Sequence, residues 1–367
     1  MPCACCAGGT ARSRIRVTRI ISRVPEPTIP EPEALLTALR EIHARIRDTV
    51  VAACERTAIE LMAAPVGEDA GDTIFAIDRV SEAALLEEFA TLAERWPMVL
   101  IAEGLGSDGR AVLPHGSDPA AAVVRVIVDP IDGTRGLMYQ KRPGWILTGV
   151  APNRGESTTL ADITLALQTE IPLIKQHLSD SLWARGLPEG GFATGSERFN
   201  RLTSAAGPLP VHPTGATSIA QGFGNISRFF PGTRGVLATV DDEVVAELLG
   251  PPPPNRVHAF EDQYICTGGQ LYELMVGHDR WAADLRPLVW ARLGARGLCC
   301  HPYDLCSELV ARAHGVLVTD AHGQPLRAPL DVDADLSWIG YANPALRRAV
   351  EPALTGALRR HGLLPVG

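Results

Sequence analysis

The sequence predicts a layered α+β fold. Three features carry that prediction: amphipathic helical stripes near the start, short apolar runs between Gly, Pro and Asp clusters in the middle, and mixed helical and strand patterns beyond. A βα barrel would instead alternate strand and helix along the whole chain.

Residues 1–30 combine small residues, a basic stretch and Pro25, Pro27 and Pro30, the pattern of a disordered tail. From Pro32 onward, Leu35, Leu39, Ile42, Ile46 and Val50 recur at steps of three and four, which predicts a helix. A second helix is expected over Ser81 to Arg95, with Ser81 as its cap and Pro97 as its stop. Met98 to Ala102, Val123 to Val128, Ile146 to Ala151 and Ile163 to Leu167 read as sheet strands. The Pro251 to Pro254 run is an exposed connection. Helices resume near Leu271 and over Asp304 to His314, where Gly315 closes the second and a strand follows over Val316 to Thr319. These changes divide the chain into a tail (1–30), an N-terminal α+β domain (31–190) and a C-terminal α/β domain (191–367).

Composition excludes several classes. The chain has 367 residues and a formal charge of −8. Sequence-independent binding to nucleic acid or an anionic bilayer needs a basic field instead, so neither partner is expected. No apolar run is long enough to span a membrane, and Met1 to Arg23 lacks the apolar core of a secretory leader, so the expected location is cytoplasmic. The eight cysteines form no paired Cys-x-x-Cys knuckles and read as reduced packing residues, with Cys3, Cys5 and Cys6 in the tail.

Gly104, Gly106 and Gly109 spell the dinucleotide fingerprint after a strand, with Asp129 at the spacing of the ribose acid. That motif requires a helix to open at the glycines, whereas Pro114, Gly116 and Pro119 follow here. The informative segment is Val126-Ile127-Val128-Asp129-Pro130-Ile131-Asp132-Gly133-Thr134. An apolar strand delivers two carboxylates at its end, and Pro130 stiffens the backbone between them. Asp129, Asp132 and the Ile131 carbonyl then offer hard oxygen ligands suited to Mg²⁺. The same residues also make an ordinary Asp-Pro and Asp-Gly turn. Glu103 ends the preceding strand and would lie beside Asp129 if the two strands are neighbours. Asp304 and Asp78 each stand just ahead of a predicted helix, where an N-cap explains them equally well.

With these residues in view, the chain resembles the inositol monophosphatase family, within the lithium-sensitive, Mg-dependent phosphatase superfamily that includes fructose-1,6-bisphosphatase. Asp129 to Thr134 matches the family's D-P-I-D-G-T, and Ala102-Glu103-Gly104 resembles its G-E-E. Asp304 to Gly315 is similar to its late W-D-x-A-A box, with Tyr303 in place of Trp. The resemblance implies an αβαβα sandwich of the sugar-phosphatase type and a phosphoric monoester hydrolase using two or three Mg²⁺ ions. It implies Glu103, Asp129, Ile131, Asp132 and Asp304 as metal ligands, and Thr134, backed by Asp78, as the group orienting the attacking water. Gly133, Thr134 and Arg135 would bind the substrate phosphate, and Thr267-Gly268-Gly269 would belong to the substrate wall. The substrate would be a small phosphorylated polyol, sugar or nucleotide. Fructose bisphosphate and 3′-phosphoadenosine phosphate stand as alternatives, and a non-catalytic binding protein on the same fold stands as the alternative of another class. Family members often form homodimers, and nothing else in the sequence fixes the assembly.

The departures bear on substrate. The acid that contacts inositol in this family stands seven residues before the late-box Asp, and here that position is Gly297. Arg135, Lys141 and Arg142 form a cationic cluster that would neutralise a second anionic group or serve as solvated loop charges. Trp281, Arg286 and Trp290 are assigned to an altered substrate wall or an oligomer contact.

Overall fold

Five apolar residues on one stripe, Leu35, Leu39, Ile42, Ile46 and Val50, are buried and make helix α1 (Pro32–Arg56) one outer layer of the molecule. The structure, a computed structural model, describes residues 28–57, 59–62, 65–69, 72–105 and 108–365. The expected tail therefore lies outside the described residues up to position 27, together with Cys3, Cys5 and Cys6. After α1 come the single turn α2 (Ile59–Met62), the hairpin β1 (Pro65–Asp69) and β2 (Asp72–Phe75), and helix α3 (Ala76–Ala93). Strands β3 (Met98–Ala102), β4 (Arg110–Leu113) and β5 (Val124–Asp132) lead to the short helix α4 (Thr134–Met138). Strands β6 (Gly144–Pro152), β7 (Leu165–Ile171), β8 (Leu178–Gly186), β9 (Phe192–Asn200) and β10 (Ala205–Pro208) follow. The rest comprises β11 (Phe223–Ile226), α5 (Arg234–Leu249), α6 (Thr267–Met275), β12 (Asp279–Asp284), α7 (Arg286–Leu293), α8 (Glu308–Ala313), β13 (Leu317–Thr319), β14 (Trp338–Tyr341) and α9 (Pro344–Arg360).

Eight strands form the large sheet in the order β10-β9-β8-β7-β6-β5-β3-β4, antiparallel except for the parallel pair β3–β5. The period-two alternation of β5 divides its side chains. Val124, Val126 and Val128 join the core under α1 and α3, and Ile127 joins the core on the opposite face. Helices α6 and α8 fill the space between this sheet and a second one, ordered β11-β12-β14-β13, and α5 and α9 cover the outer side. The layers therefore run α, β, α, β, α, as the resemblance implied. The division expected at residue 190 falls inside the large sheet, which continues through β9 and β10.

Two local expectations are corrected. Helix α3 begins at Ala76, because Ala76 to Val80 contains no Gly or Pro to stop it. Ser81 is then an interior residue, not a cap, and Asp78 lies in the first turn. The stretch from Asp304 is no continuous helix either. A 3-10 turn (Tyr303–Leu305) precedes α8, and the Asp304 carboxylate accepts from the backward-lying His301 N–H at 2.6 Å. The bond is local to that turn, so Asp304 is not the cap of α8, whose cap position is Ser307. Trp281 is buried in β12 as part of the core. The glycines after β3 open no helix among the described residues; the chain turns into β4, antiparallel to β3.

Candidate metal centre

Strand β5 delivers Asp129 and Asp132 on either side of a bulge in its pairing with β6, where Asp129 lies opposite Leu147 and Asp132 opposite Trp145. The bulge breaks strict alternation and lets two acids three positions apart serve one site. Asp129 Oδ1 accepts from the Ile131 N–H at 2.9 Å, which fixes the carboxylate over the Pro130 turn. The 3-10 turn brings up Asp304, and one oxygen each of Asp129, Asp132 and Asp304 lies within 4.8 Å of the others. Two aspartates are buried and Asp304 is half-buried. Glu103 directly follows β3, whose last residue Ala102 pairs with Val128. This places Glu103 one register step from Asp129, as expected for neighbouring strands, although it stands outside the three-residue cluster.

Gathering these acids is electrostatically unfavourable without a cation. Burial raises the Asp129 carboxyl well above the usual range, and Asp132, Asp304 and Glu103 add to the rise. Burial likewise raises Asp304, with Asp132 contributing. Asp132 is raised by burial too, but two backbone donors hold it back: the Thr267 N–H at 3.2 Å and the Gly268 N–H at 2.5 Å. These amides open helix α6, so Asp132 closes that helix's unsatisfied N-terminus from another part of the chain. A Cβ at Gly268 would stand 2.6 Å from the Leu147 side chain and 3.1 Å from the Asp132 carboxylate, so a larger residue there would displace one of them.

Thr134 donates its hydroxyl to the Ile131 carbonyl at 2.8 Å, which makes its oxygen an acceptor toward the site. Gly133 adopts φ 86°, and a Cβ there would meet Cys266 at 2.9 Å. Arg135 lies with its guanidinium 5.3 Å from the Phe230 ring centre. Arg142 pairs with Asp262 and covers Tyr264. Asp78 is in the first turn of α3, and its side chain is outside the described part of the structure. Thr267, Gly268 and Gly269 form the first turn of α6; the two glycines are buried against Leu147 and Tyr264.

Some residues at this site carried no readable signal. Cys266 donates its thiol to the Asp132 carbonyl at 3.4 Å and accepts from Gly269 N–H at 3.3 Å. Cys300 and Cys306 are also buried next to the carboxylates, and burial pushes all three thiols up, so they stay protonated. His301 holds Asp304 through its backbone, and no local pattern announces that contact.

The layered fold has known counterparts. A fructose-1,6-bisphosphatase of Leishmania major matches with a TM-score of 0.62 at 12% identity, over 90% of this chain and 96% of that one. The fold is that of the inositol monophosphatase and fructose-1,6-bisphosphatase structures. An extragenic suppressor protein SuhB of Bartonella henselae matches with a TM-score of 0.57 at 14% identity, over 88% of this chain and 98% of that one. An IMPase of Thermotoga maritima gives 0.55 at 12% identity, over 89% and 98%. No family model and no curated protein matches the sequence. No helix among the described residues is long and apolar enough to cross a membrane.

Proposed function

We propose that the chain is a metal-dependent phosphomonoesterase acting on a small phosphate ester. The observation that carries this reading is the convergence of Asp129, Asp132 and Asp304 within 4.8 Å, in this fold. Carboxylates raised by burial and, for Asp129, further by its acidic neighbours, with a backbone carbonyl beside them, are a donor set of hard oxygens that fits Mg²⁺. Glu103, Asp129, the Ile131 carbonyl, Asp132 and Asp304 would hold the ions, two or three in number. Bound there, Mg²⁺ supplies Lewis-acid polarisation of the phosphate and a water acidified toward neutrality. The chain's own groups do the positioning. Thr134, its proton committed to the Ile131 carbonyl, accepts a hydrogen from the attacking water and orients it. The Gly133 and Thr134 amides face phosphate oxygens, and the α6 amides keep Asp132 from turning away.

The inositol-type contact is closed off sterically. A Cβ at Gly297 would stand 2.3 Å from the Trp290 indole, so no acid fits that position while Trp290 keeps its place. This favours sugar or nucleotide phosphates over inositol phosphates within the same reaction class. The test is phosphate release from a panel of inositol, sugar and nucleotide monoesters with Mg²⁺, with and without lithium. Asp129→Asn is expected to lower turnover by a factor of ~10³ or more while the fold persists. Full activity of that variant, or of the wild type in excess chelator, would sink the reading. Metal-dependent binding with no turnover on any ester would favour a non-catalytic protein.

A further inference from the structure

A second cavity, of about 460 Å³, lies beside the metal centre on the same face of the large sheet. Its floor is one row across the strands. Trp145, the register partner of Asp132, stands opposite Glu170, and Asp180 stands opposite Arg198. The Asp180 N–H donates to Glu170 Oε2 at 3.1 Å and joins the two halves of the row. Helix α6 supplies the roof through Tyr272, whose ring packs on Trp145 at 4.7 Å and whose hydroxyl donates to Asp180 at 2.6 Å.

The charges lining this cavity pair off, with two exceptions. Arg198 forks onto Asp180 with bonds of 2.6 and 2.7 Å. Arg142 is held by Asp262, and Glu273 by His278. Among the described residues Glu170 receives only the Asp180 N–H and a long contact of 3.4 Å from Gln176 Nε2. Among the described residues no cation forms an ion pair with it, and burial, reinforced by the Asp180 carboxylate, pushes its carboxyl up to about 7. Lys141 stands exposed at the rim, and among the described residues no carboxylate pairs with it. The cavity thus keeps an uncompensated carboxyl inside and an uncompensated ammonium at its mouth.

We propose that this cavity is a second ligand site, distinct from the metal centre, that takes a small zwitterion of the free α-amino acid class. The ligand's ammonium lies on Glu170 beside the Tyr272 ring, and its carboxylate turns outward to Lys141. Charge-assisted hydrogen bonding to Glu170, next to the half-buried Tyr272 ring, favours an ammonium at the inner position. A simple amine leaves Lys141 without a partner, and an anion such as phosphate leaves Glu170 without one.

Isothermal titration of the full chain with Mg²⁺ present, using each standard free amino acid, tests the proposal. Methylamine, acetate and inorganic phosphate serve as single-charge probes. At least one amino acid is expected to bind, with each single-charge probe weaker by ~10-fold or more. Lys141→Ala, at an exposed position that does not threaten folding, and Glu170→Gln should each weaken that binding by ~10-fold. The binding should persist in Asp129→Asn, which separates this site from the phosphatase reading. No amino-acid binding up to ~10 mM, equal binding of a single-charge probe, or binding untouched by Lys141→Ala would overturn the proposal.

Discussion

Replacing Asp304 with Asn should make the metal-free protein more stable and remove most of the stability that Mg²⁺ confers. The three carboxylates lie within 4.8 Å of one another, so each fully ionised pair repels by about 3.5 kcal/mol at an effective dielectric of ~20. Asp304 takes part in two such pairs. Proton uptake and local relaxation relieve much of that ceiling, which leaves a gain of ~1–3 kcal/mol for the neutral isostere. The Asn oxygen can still accept from His301 N–H, held at 2.6 Å in the wild type, so the 3-10 turn should survive. The wild type should gain ~2.7 kcal/mol from an ion at a hundred times its Kd, and the variant, with one ligand neutralised, less than ~1 kcal/mol. Urea unfolding in chelator and in Mg²⁺, for both proteins, measures all four stabilities. If Asp304→Asn is less stable than wild type in chelator and still shows the same Mg²⁺ increment, the three carboxylates do not form a cation site.

Two further perturbations probe the surroundings. Gly297→Ala places a Cβ 2.3 Å from the Trp290 indole and should cost ~1–3 kcal/mol by overpacking. Trp290→Ala in the same chain should recover part of that loss, whereas simple additivity in urea unfolding would show that the two residues do not collide. Glu170 gives a pH signature: its carboxyl is pushed up from 4.5 to about 7, so the native state holds its proton more tightly than the unfolded chain does. The stabilisation is complete below the unfolded value and disappears as pH rises through about 7. The shift has a ceiling of ~3 kcal/mol, reduced to ~1–2 kcal/mol because the group is partly solvated. With Mg²⁺ saturating, Glu170→Gln should therefore lose less stability than wild type between pH 5 and pH 8, and superimposable profiles would contradict the assigned burial.

What the sequence discloses is what local chemistry determines. The alternating apolar run of β5 followed by Asp129 to Thr134 marks its own place, because strand, turn and ligands are contiguous. The neighbour relation of Glu103 and Asp129 also follows from two short strands that pair. The α3 start is harder: Ser81 is the better cap, but no Gly or Pro separates it from Ala76, so nothing stops the helix from running back past it. The supports of Asp132 and Asp304 are invisible locally. One comes from amides more than a hundred positions away and the other from a backbone N–H whose direction depends on a 3-10 turn. The Glu170 cavity depends on pairings among β6, β7, β8 and β9, which no window of sequence contains.

Arg135, Lys141 and Arg142 show how adjacency in sequence misleads. They read as one cationic cluster next to the phosphate motif, but α4 spans only five residues before Gln140 enters the left-handed region at φ 53°, and Arg135 is set apart from the other two, which both line the second cavity. Arg135 lies against Phe230, Arg142 is committed to Asp262, and Lys141 stands at the rim of the second cavity. Arg286, the other cation close to Asp304, is tied by its guanidinium to Asp284 and to the Leu298 carbonyl. Under the proposed reading, the positive charge facing a bound phosphate is then supplied chiefly by the divalent ions on Asp129, Asp132 and Asp304. Substrate affinity should accordingly follow Mg²⁺ concentration more steeply than it responds to neutralising Lys141 or Arg142.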